Sequence, residues 1–380
     1  DLVSVGAQDV YITGDPQVSF FRQNYKRHTN FSIKPERLDY IGTFKSSNEV
    51  SIPIRSKGDL LSYIWIENAN INSNNSNDSL FKSANGTSND TSPTEFSLWI
   101  GGQEVTKLDS LFINTVHNTL YNESQAKATC AVTTQDTGDN ASTGSYVIPF
   151  FFSEDWTKSL PLVGLQYHEV EIRIKCRNGT FAPSSPPKVY GSYIFLDTDE
   201  REFFSQQEHE ILITQTQFQP MTDTDTSIDL TYFNHPVKAV HITAGLRDTT
   251  AYSFPSASMF INGTPLFENM SGEYHRNVVP SRHCTILNNT IDEEQIYTWP
   301  MCLTMNKSQP TGSLNFSRID NAKITNFDAV KFQKRTLNKV YSKDALDAKR
   351  DSPWGKTNRE QKEGLDFSND EYEDIYRYCK

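Results

Sequence analysis

The sequence predicts an all-β protein made of two consecutive β-sandwich domains. Segments with strand patterning recur at spacings of roughly 8–12 residues and are separated by polar, turn-rich stretches. The chain has 380 residues, more than the roughly 100–200 residues of a typical single domain. It contains 23 Phe, 17 Tyr and 5 Trp, and aromatic residues favour strands and can fill a large core. We therefore expect two sandwiches or jelly rolls, with short helices in the connecting loops.

The first half shows two kinds of strand. Val50, Ile52 and Ile54 alternate with other residues, which indicates one buried face. Residues 60–66 (LLSYIWI) are apolar on both faces, as in a central strand. Residues 107–121 have helical periodicity instead, and residues 68–93 are too polar to enter a core. The other strands predicted here are 96–100, 146–152, 169–176 and 190–196.

A polar, acidic segment, residues 197–210, separates this block from a second series of strands. We place the domain junction there, with the first domain at 31–203 and the second at 204–330. Residues 331–380 hold 12 Lys or Arg and 10 Asp or Glu, so we expect an exposed helical or loosely ordered segment. The strands predicted in the second domain are 211–219, 228–233, 237–244, 258–262, 296–304 and 313–327.

Residues 1–30 read as an N-terminal arm that carries a helix. Asp15 can cap a helix that begins at Pro16, and Arg22, Lys26, Arg27 and His28 would place positive charge in its later turns. An apolar face at helical spacing predicts a docked helix, in preference to a membrane-binding or nucleic-acid-binding arm. The docking residues predicted on that face are Val18, Phe21 and Tyr25.

Composition argues against nucleic acid, disulfides and membrane spans. The formal charge of −11 repels a phosphate backbone, so we expect no direct nucleic-acid contact. No run of 18 apolar residues exists. Five cysteines without a CxxC pair predict mostly reduced thiols and no zinc site, and they are Cys130, Cys176, Cys284, Cys302 and Cys379.

No catalytic constellation is found in the sequence. His168 and Glu169 are adjacent on a predicted strand and point to opposite faces. Asp223, Asp225 and Asp229 resemble part of a calcium loop that lacks its glycine and terminal Glu. Nucleophile-elbow, phosphate-loop and HExxH motifs are absent. We therefore predict a protein that is not an enzyme, with no cofactor and no metal.

Thirteen Asn-x-Ser/Thr sequons stand in the sequence, several of them in the polar segment 74–91. They indicate either N-glycosylation or simply a polar loop composition. Assembly in the cytoplasm would keep them from the secretory machinery of a host. The candidate acceptors are Asn74, Asn77, Asn85, Asn89, Asn140, Asn269, Asn288 and Asn306.

Seven collinear sequence blocks stand out along residues 6–321. The opening block is GAQDVYITGDPQVSFF (6–21), followed by YKRHTNF (25–31). The later blocks are GDLL (58–61), IGGQ (100–103), LPL (160–162) with LQYHEV (165–170), YIFLDT (193–198) with Glu200 and Arg201, FNHP (233–236) and NFSRIDN (315–321). One tetrapeptide would be weak evidence, whereas seven blocks in order are specific. Together they resemble the major capsid proteins of nucleocytoplasmic large DNA viruses, with the algal-virus and giant-virus branches nearest.

The resemblance implies two eight-stranded jelly rolls in one chain and a purely structural role. Three chains would form a pseudo-hexagonal homotrimeric capsomer, and capsomers would tile an icosahedral shell over an internal membrane. The implied partners are further copies of the chain, neighbouring capsomers and minor capsid proteins, and the implied location is the virion capsid, assembled in the host cytoplasm. Alternatives are a minor capsid or vertex paralogue and a carbohydrate-binding β-sandwich module.

The sequence departs from the family pattern at its end. Family members commonly finish with a strand that reads approximately NYNVLRI, followed by GMGGLA. Here residues 374–380 (DIYRYCK) stand about where that strand would begin. Either the closing strand is missing, or another segment completes the second jelly roll. A lost strand would leave an unpaired sheet edge.

Overall fold

The computed structural model describes residues 3–67, 80, 92–121, 146–178, 181, 183, 186–220, 227–243, 256–285, 296–325 and 339–347. Strands dominate both halves, as predicted. In the first half they are β1 (Phe31–Leu38), β2 (Glu49–Ile54), β3 (Leu60–Glu67), β4 (Glu95–Ile100), β5 (Gln103–Asp109), β6 (Tyr146–Val147), β7 (Leu160–Pro161), β8 (Val170–Lys175) and β9 (Lys188–Leu196). In the second half they are β10 (Leu212–Pro220), β11 (Ser227–Asp229), β12 (Pro236–Thr243), β13 (Ala257–Ile261), β14 (Thr264–Met270), β15 (Ile296–Pro300), β16 (Leu314–Asn315), β17 (Ala322–Thr325) and β18 (Lys339–Asp347).

Both halves have the same sheet topology. The first half pairs its strands in the order β1-β9-β3-β6, with β7 also on β3, and β2-β8-β4-β5. The second half repeats this as β10-β18-β12-β15, with β16 also on β12, and β11-β17-β13-β14. Neighbouring strands are antiparallel throughout these sheets. Since β6 and β7 share one position, as do β15 and β16, each half is an eight-position jelly roll, and the predicted fold class is confirmed.

Helices are short and lie in the connections, also as predicted. Asp109 caps the second of them by accepting a hydrogen bond from the backbone N–H of Phe112 at 2.7 Å. The helical prediction for 107–121 is therefore confirmed from Ser110 onward, because residues 103–109 form β5. The helices are α1 (Val10–Thr13), α2 (Ser110–Phe112, continued by π-helical turns Ile113–Tyr121), α3 (Phe151–Glu154), α4 (Thr198–Gln206) and α5 (Val279–His283, preceded by π-helical turns Tyr274–Val278). Single 3-10 turns are Trp156–Lys158, Leu162–Gly164 and Phe316–Arg318.

The core of the first roll is built by the strands whose sequence alternates. Along β2, Val50, Ile52 and Ile54 are buried, and β4 and β8 bury every second residue in the same way. On β3, Ile64 and Ile66 face this core. The period of two in the sequence therefore marks the inner faces of the two sheets.

The core of the second roll is smaller and more aromatic. Trp299 and Tyr297 on β15 are fully buried beside Phe316, Met259 and Ile242. All five residues of β15 are buried, so this strand shows no alternation. The predicted strand 296–304 is correct only as far as Pro300, where β15 ends.

Other predicted strands are wrong in part, for local reasons. Residues 146–152 form a strand only at Tyr146–Val147, because Phe151–Glu154 turn into α3. Residues 313–327 form two short strands separated by the 3-10 turn Phe316–Arg318. In both stretches aromatic and polar residues are interspersed as in strands, but a helical turn interrupts each of them.

The closing position of the second roll is occupied by β18. This strand pairs with β10 over residues 212–220 on one side and with β12 on the other. Residues 339–347 lie inside the charged segment 331–380, where the sequence indicated no strand. The second roll is thus completed by this segment, while residues 374–380 lie outside the described residues.

The linker between the rolls is anchored by one ion pair. Asp59, at the start of β3, is 9% exposed, and its Oδ1 lies 2.9 Å from Nε of Arg201 on α4. Oδ2 of Asp59 accepts hydrogen bonds from Nη2 of Arg201 at 3.1 Å and from the backbone N–H of Leu196 at 2.8 Å. Charge-assisted, bidentate contacts of this kind hold geometry well. They hold the first turns of α4 against the first roll.

The two rolls share a packed interface with polar contacts across it. One continuous apolar cluster contains first-roll residues and Ile213, Ala239 and Ile296 of the second roll. Tyr121 contributes its hydroxyl, 2.8 Å from Nε2 of the fully buried His241. Mutual burial of these surfaces opposes hinge motion between the rolls.

Asp59→Ala should destabilise the first roll and loosen the linker. The change leaves the Leu196 N–H and the Arg201 guanidinium without their shared acceptor, which should lower the unfolding free energy by about 2 kcal/mol. Denaturant unfolding and limited proteolysis of residues 197–210 measure the two effects. Asp199→Ala on the exposed side of the same helix is the control, and an Asp59→Ala protein as stable as that control would contradict the assigned role.

The second roll should lose stability on acidification. His275 is fully buried against Trp299, with ring centroids 4.3 Å apart, and burial lowers its pKa to about 4 from the usual 6.5. Between these values the unfolded chain takes up a proton that the folded chain refuses. Stability should therefore be complete above pH 6.5 and fall by on the order of 3 kcal/mol as the pH drops to 4. Urea unfolding across this range checks it, and His275→Gln should have a shallower slope; an unchanged slope would refute the assignment.

Candidate assembly surface

The N-terminal arm, residues 3–30, is exposed along its whole length. The predicted helix from Pro16 is wrong, because Asp15 has a φ of 46°, which breaks a helix there. The only helical turn in the arm is α1, upstream at Val10–Thr13. The predicted docking residues instead lie on irregular backbone, with exposed fractions of 60% for Val18, 100% for Phe21 and 76% for Tyr25.

These apolar side chains form no continuous apolar face, and no part of the chain that the structure describes covers them. Tyr11, Ile12 and Phe20 are also 87–93% exposed. Large exposed apolar surfaces on soluble proteins usually mark contacts with another molecule. The docking role of the arm remains a prediction, and the structure changes the element that would dock from a helix to an irregular segment.

The arm leads directly into an exposed edge strand. β1 pairs with β9 on one side only, from Phe31 opposite Leu196 to Leu38 opposite Val189. Its residues 31–35 are exposed on both faces, so β1 has no alternation by which the sequence could have revealed it. β14 is a second edge strand of this kind, with six of its seven residues exposed. Unpaired edges are available for contacts with further chains.

The outer face of the β1-β9-β3 sheet carries an aromatic stripe. Trp65 stacks on Tyr190 with ring centroids 5.2 Å apart and contacts Tyr63 at 5.6 Å. Tyr63 in turn lies 6.2 Å from Trp156, which is 59% exposed. The sequence showed β3 as apolar on both faces without separating core from outer surface. Stacking covers one face of the Trp65 ring and one face of the Tyr190 ring.

Several of the sequence blocks meet at equivalent corners of the two rolls. In the first, Leu60 and Leu61 of the GDLL block pair with Leu160–Pro161 of the LPL block, and Asp59 contacts Arg201. In the second, Pro236 of the FNHP block pairs with Asn315 of the NFSRIDN block. The backbone N–H of Phe316 donates to the carbonyl of His235 at 3.0 Å there. These blocks therefore build the start of the third strand of each roll.

Of the eight candidate glycan acceptors, the structure describes two. Asn269 lies exposed on the edge strand β14. Asn306 is less open: its Oδ1 accepts hydrogen bonds from the N–H and hydroxyl of Thr285 at 3.0 and 2.6 Å, and its Nδ2 is buried. The others lie outside the described residues, namely Asn74, Asn77, Asn85, Asn89, Asn140 and Asn288.

The three described cysteines are buried free thiols, as the sequence predicted. Burial raises the pKa of Cys176 to about 11 and of Cys284 to about 12, which disfavours the reactive thiolate. Cys130 and Cys379 lie outside the described residues, as do Asp223 and Asp225. Within the described ranges no group of three His, Cys, Asp or Glu residues is placed to hold a metal ion. In the same ranges no helix is both long and apolar enough to cross a membrane.

Two family descriptions match the chain. Residues 19–197 match the "Major capsid protein N-terminus" family, and residues 241–351 match the "Large eukaryotic DNA virus major capsid protein" family. The major capsid protein of Pyramimonas orientalis virus is 31% identical over 372 residues, which cover 85% of this chain and 90% of that protein. The major capsid protein of Paramecium bursaria Chlorella virus 1 is 30% identical, with 85% of each chain covered.

Solved structures share the fold. A chain of the PBCV-1 virus capsid quasi-atomic model matches with a TM-score of 0.65 at 24% identity, covering 86% of this chain and 96% of that one. The Faustovirus major capsid protein matches with a TM-score of 0.63 at 10% identity, covering 90% and 94%. Together with the family matches on both rolls, the sequence relatives place this chain among the major capsid proteins of large eukaryotic DNA viruses.

Proposed function

We propose that this chain is a structural subunit of an icosahedral viral capsid that acts as a homotrimeric capsomer. The observation that carries the proposal is the repeated strand order, which gives one chain two jelly rolls of the same topology. Three such chains around a threefold axis present six similar rolls. A pseudo-hexagonal unit of this kind can tile a closed lattice with similar contacts on all six sides.

The stiffness of the subunit supports the same role. The rolls are joined by a shared apolar cluster, and the linker is tied to the first roll through Asp59 and Arg201. A shell subunit must transmit load without bending, and packed interiors have low compressibility. The family matches are to capsid proteins, so we propose a structural role without enzymatic activity.

The expected surroundings follow from this role. We propose neighbouring capsomers and minor capsid proteins as partners, a virion capsid location, assembly in the host cytoplasm and an internal membrane beneath the shell. Direct binding to nucleic acid is disfavoured by the formal charge of −11.

The purified chain should be a trimer in solution. Size-exclusion chromatography with light scattering should give a mass close to three times the 43.3 kDa of one chain. The trimer is expected because three chains close a ring of six similar rolls. A monomer that binds sugars would contradict this proposal and favour the carbohydrate-binding alternative.

We also propose that glycans are attached at sequons among the eight candidates, and at Asn269 rather than at Asn306, because the amide nitrogen of Asn306 is buried. Chain isolated from virions should then exceed the bare-chain mass in intact-mass spectrometry. Asn269→Gln should remove one glycan increment, whereas Asn306→Gln, the matched control, should leave the mass increment unchanged. A mass equal to that of the bare chain would rule the modification out.

A further inference from the structure

We propose that the N-terminal arm of one copy packs onto the acidic linker surface, residues 197–210, of a second copy. The inference rests on the proposed trimer and adds to it the element that joins one subunit to the next. The proposed binding partner of the arm is thus another copy of this chain.

The arm carries enough apolar surface for a stable contact. Tyr11, Phe20, Phe21 and Tyr25 are 76–100% exposed. Buried aromatic side chains each remove roughly 150–250 Å² from water, so these four amount to roughly 600–1,000 Å². A standard interface needs about 800 Å² from each partner.

The charge of the second half of the arm, residues 16–30, complements another copy of the chain, whereas the first half carries Asp9 and Asp15. Residues 16–30 contain Arg22, Lys26 and Arg27 and no carboxylate. The remaining 33 Lys and Arg stand against 47 Asp and Glu, so the rest of the chain carries a formal charge of −14. A basic segment on an acidic body is drawn to the body of a neighbour.

The linker surface offers both properties that the arm needs. Six carboxylates lie in residues 197–210, and the one arginine among them, Arg201, is already paired with Asp59. Phe203 lies in the middle of the segment and is 55% exposed. The ring of Phe203 also contacts Phe204 and His209, with centroids 5.7 Å apart in both pairs. A partly exposed aromatic cluster in an acidic segment complements an arm of aromatic and cationic side chains through apolar burial, charge and cation–π contact.

The position of the arm also suits contact with a neighbour. Phe31, where the arm joins β1, pairs with Leu196, the residue before the linker begins. Arm and linker therefore leave the sheet at the same end. Rotation about a symmetry axis preserves height along that axis, so the arm of one copy leaves at the level of the linker of the next. An extended segment of this length spans up to about 90 Å, which is ample for the crossing.

An anionic membrane fits the arm less well. Each cation near such a surface contributes only about 1 kcal/mol, and the acidic body would be repelled. The arm also has no amphipathic helix beyond the four residues of α1. Binding to lipid is therefore kept as an outcome of the test.

The first test removes the aromatic contact. Phe20→Ser with Phe21→Ser should raise the dissociation constant of the trimer at least tenfold, measured by light scattering across a dilution series. Tyr167→Ser, at a tyrosine that is 93% exposed outside both surfaces, should leave the constant unchanged. Circular dichroism of the variants confirms that the rolls stay folded. Arm variants with a wild-type constant overturn the inference, as does co-sedimentation of the arm with phosphatidylserine vesicles while the trimer is unaffected.

The second test identifies the receiving surface. Arg22→Glu with Lys26→Glu, and separately Asp199→Lys with Glu202→Lys, should each weaken the trimer, and all four changes in one chain should restore it. Gln23→Cys with Gln206→Cys should form a disulfide between chains under mild oxidation by oxidised glutathione, in which two thiols lose their protons and electrons to the reagent. Failure of the restoration, or a bond within a single chain, overturns the inference.

The outcomes separate this inference from the proposed function. A monomeric wild-type chain overturns the trimer and the arm contact together. If the wild-type chain is a trimer and the arm and linker variants have the same dissociation constant, the arm contact alone is overturned.

Discussion

In each half of the chain, the last strand lies between the first and the third. β9 is inserted between β1 and β3, and β18 between β10 and β12. Neither sheet is complete until this strand enters, and every pairing it makes is remote in sequence. Such pairing loses chain entropy before the contacts that compensate it have formed. The roll is therefore expected to form as one cooperative unit around its core. The linker anchor and the shared interface then position one completed unit against the other.

Most of the strands that the sequence predicted bury at least one face, since β2 and β8 bury alternate residues and β15 buries all five. Val50, Ile52 and Ile54 on β2, like the alternating residues of β8, point into the core of the first roll. β1 and β14 escaped prediction because they are edges exposed on both faces, and β18 because its segment is rich in charge. Periodicity reports burial, and a strand without a buried face carries no such signal.

The candidate surface was predictable in composition and not in conformation. Val18, Phe21 and Tyr25 are spaced for a helix, and Asp15 with Pro16 is a good helix start by local rules. The backbone has a positive φ at Asp15 instead, and the side chains pack on no surface of the described residues. An isolated helix of this length has little stability without tertiary contacts, so spacing alone could not decide its form. The pairing of Asp59 with Arg201 was likewise out of reach, because 142 residues separate them.

The order of strand insertion also bears on how the chain is made. During synthesis the exposed arm leaves the ribosome before either roll, and β9 follows long before β18. The first roll can therefore close while the second is still being translated. The aromatic side chains of the arm are then exposed during elongation, when exposed apolar segments can form non-native contacts or bind chaperones. Under the proposed arm contact, these side chains stay exposed until another copy of the chain binds them, which ties the solubility of the subunit to the rate of its assembly.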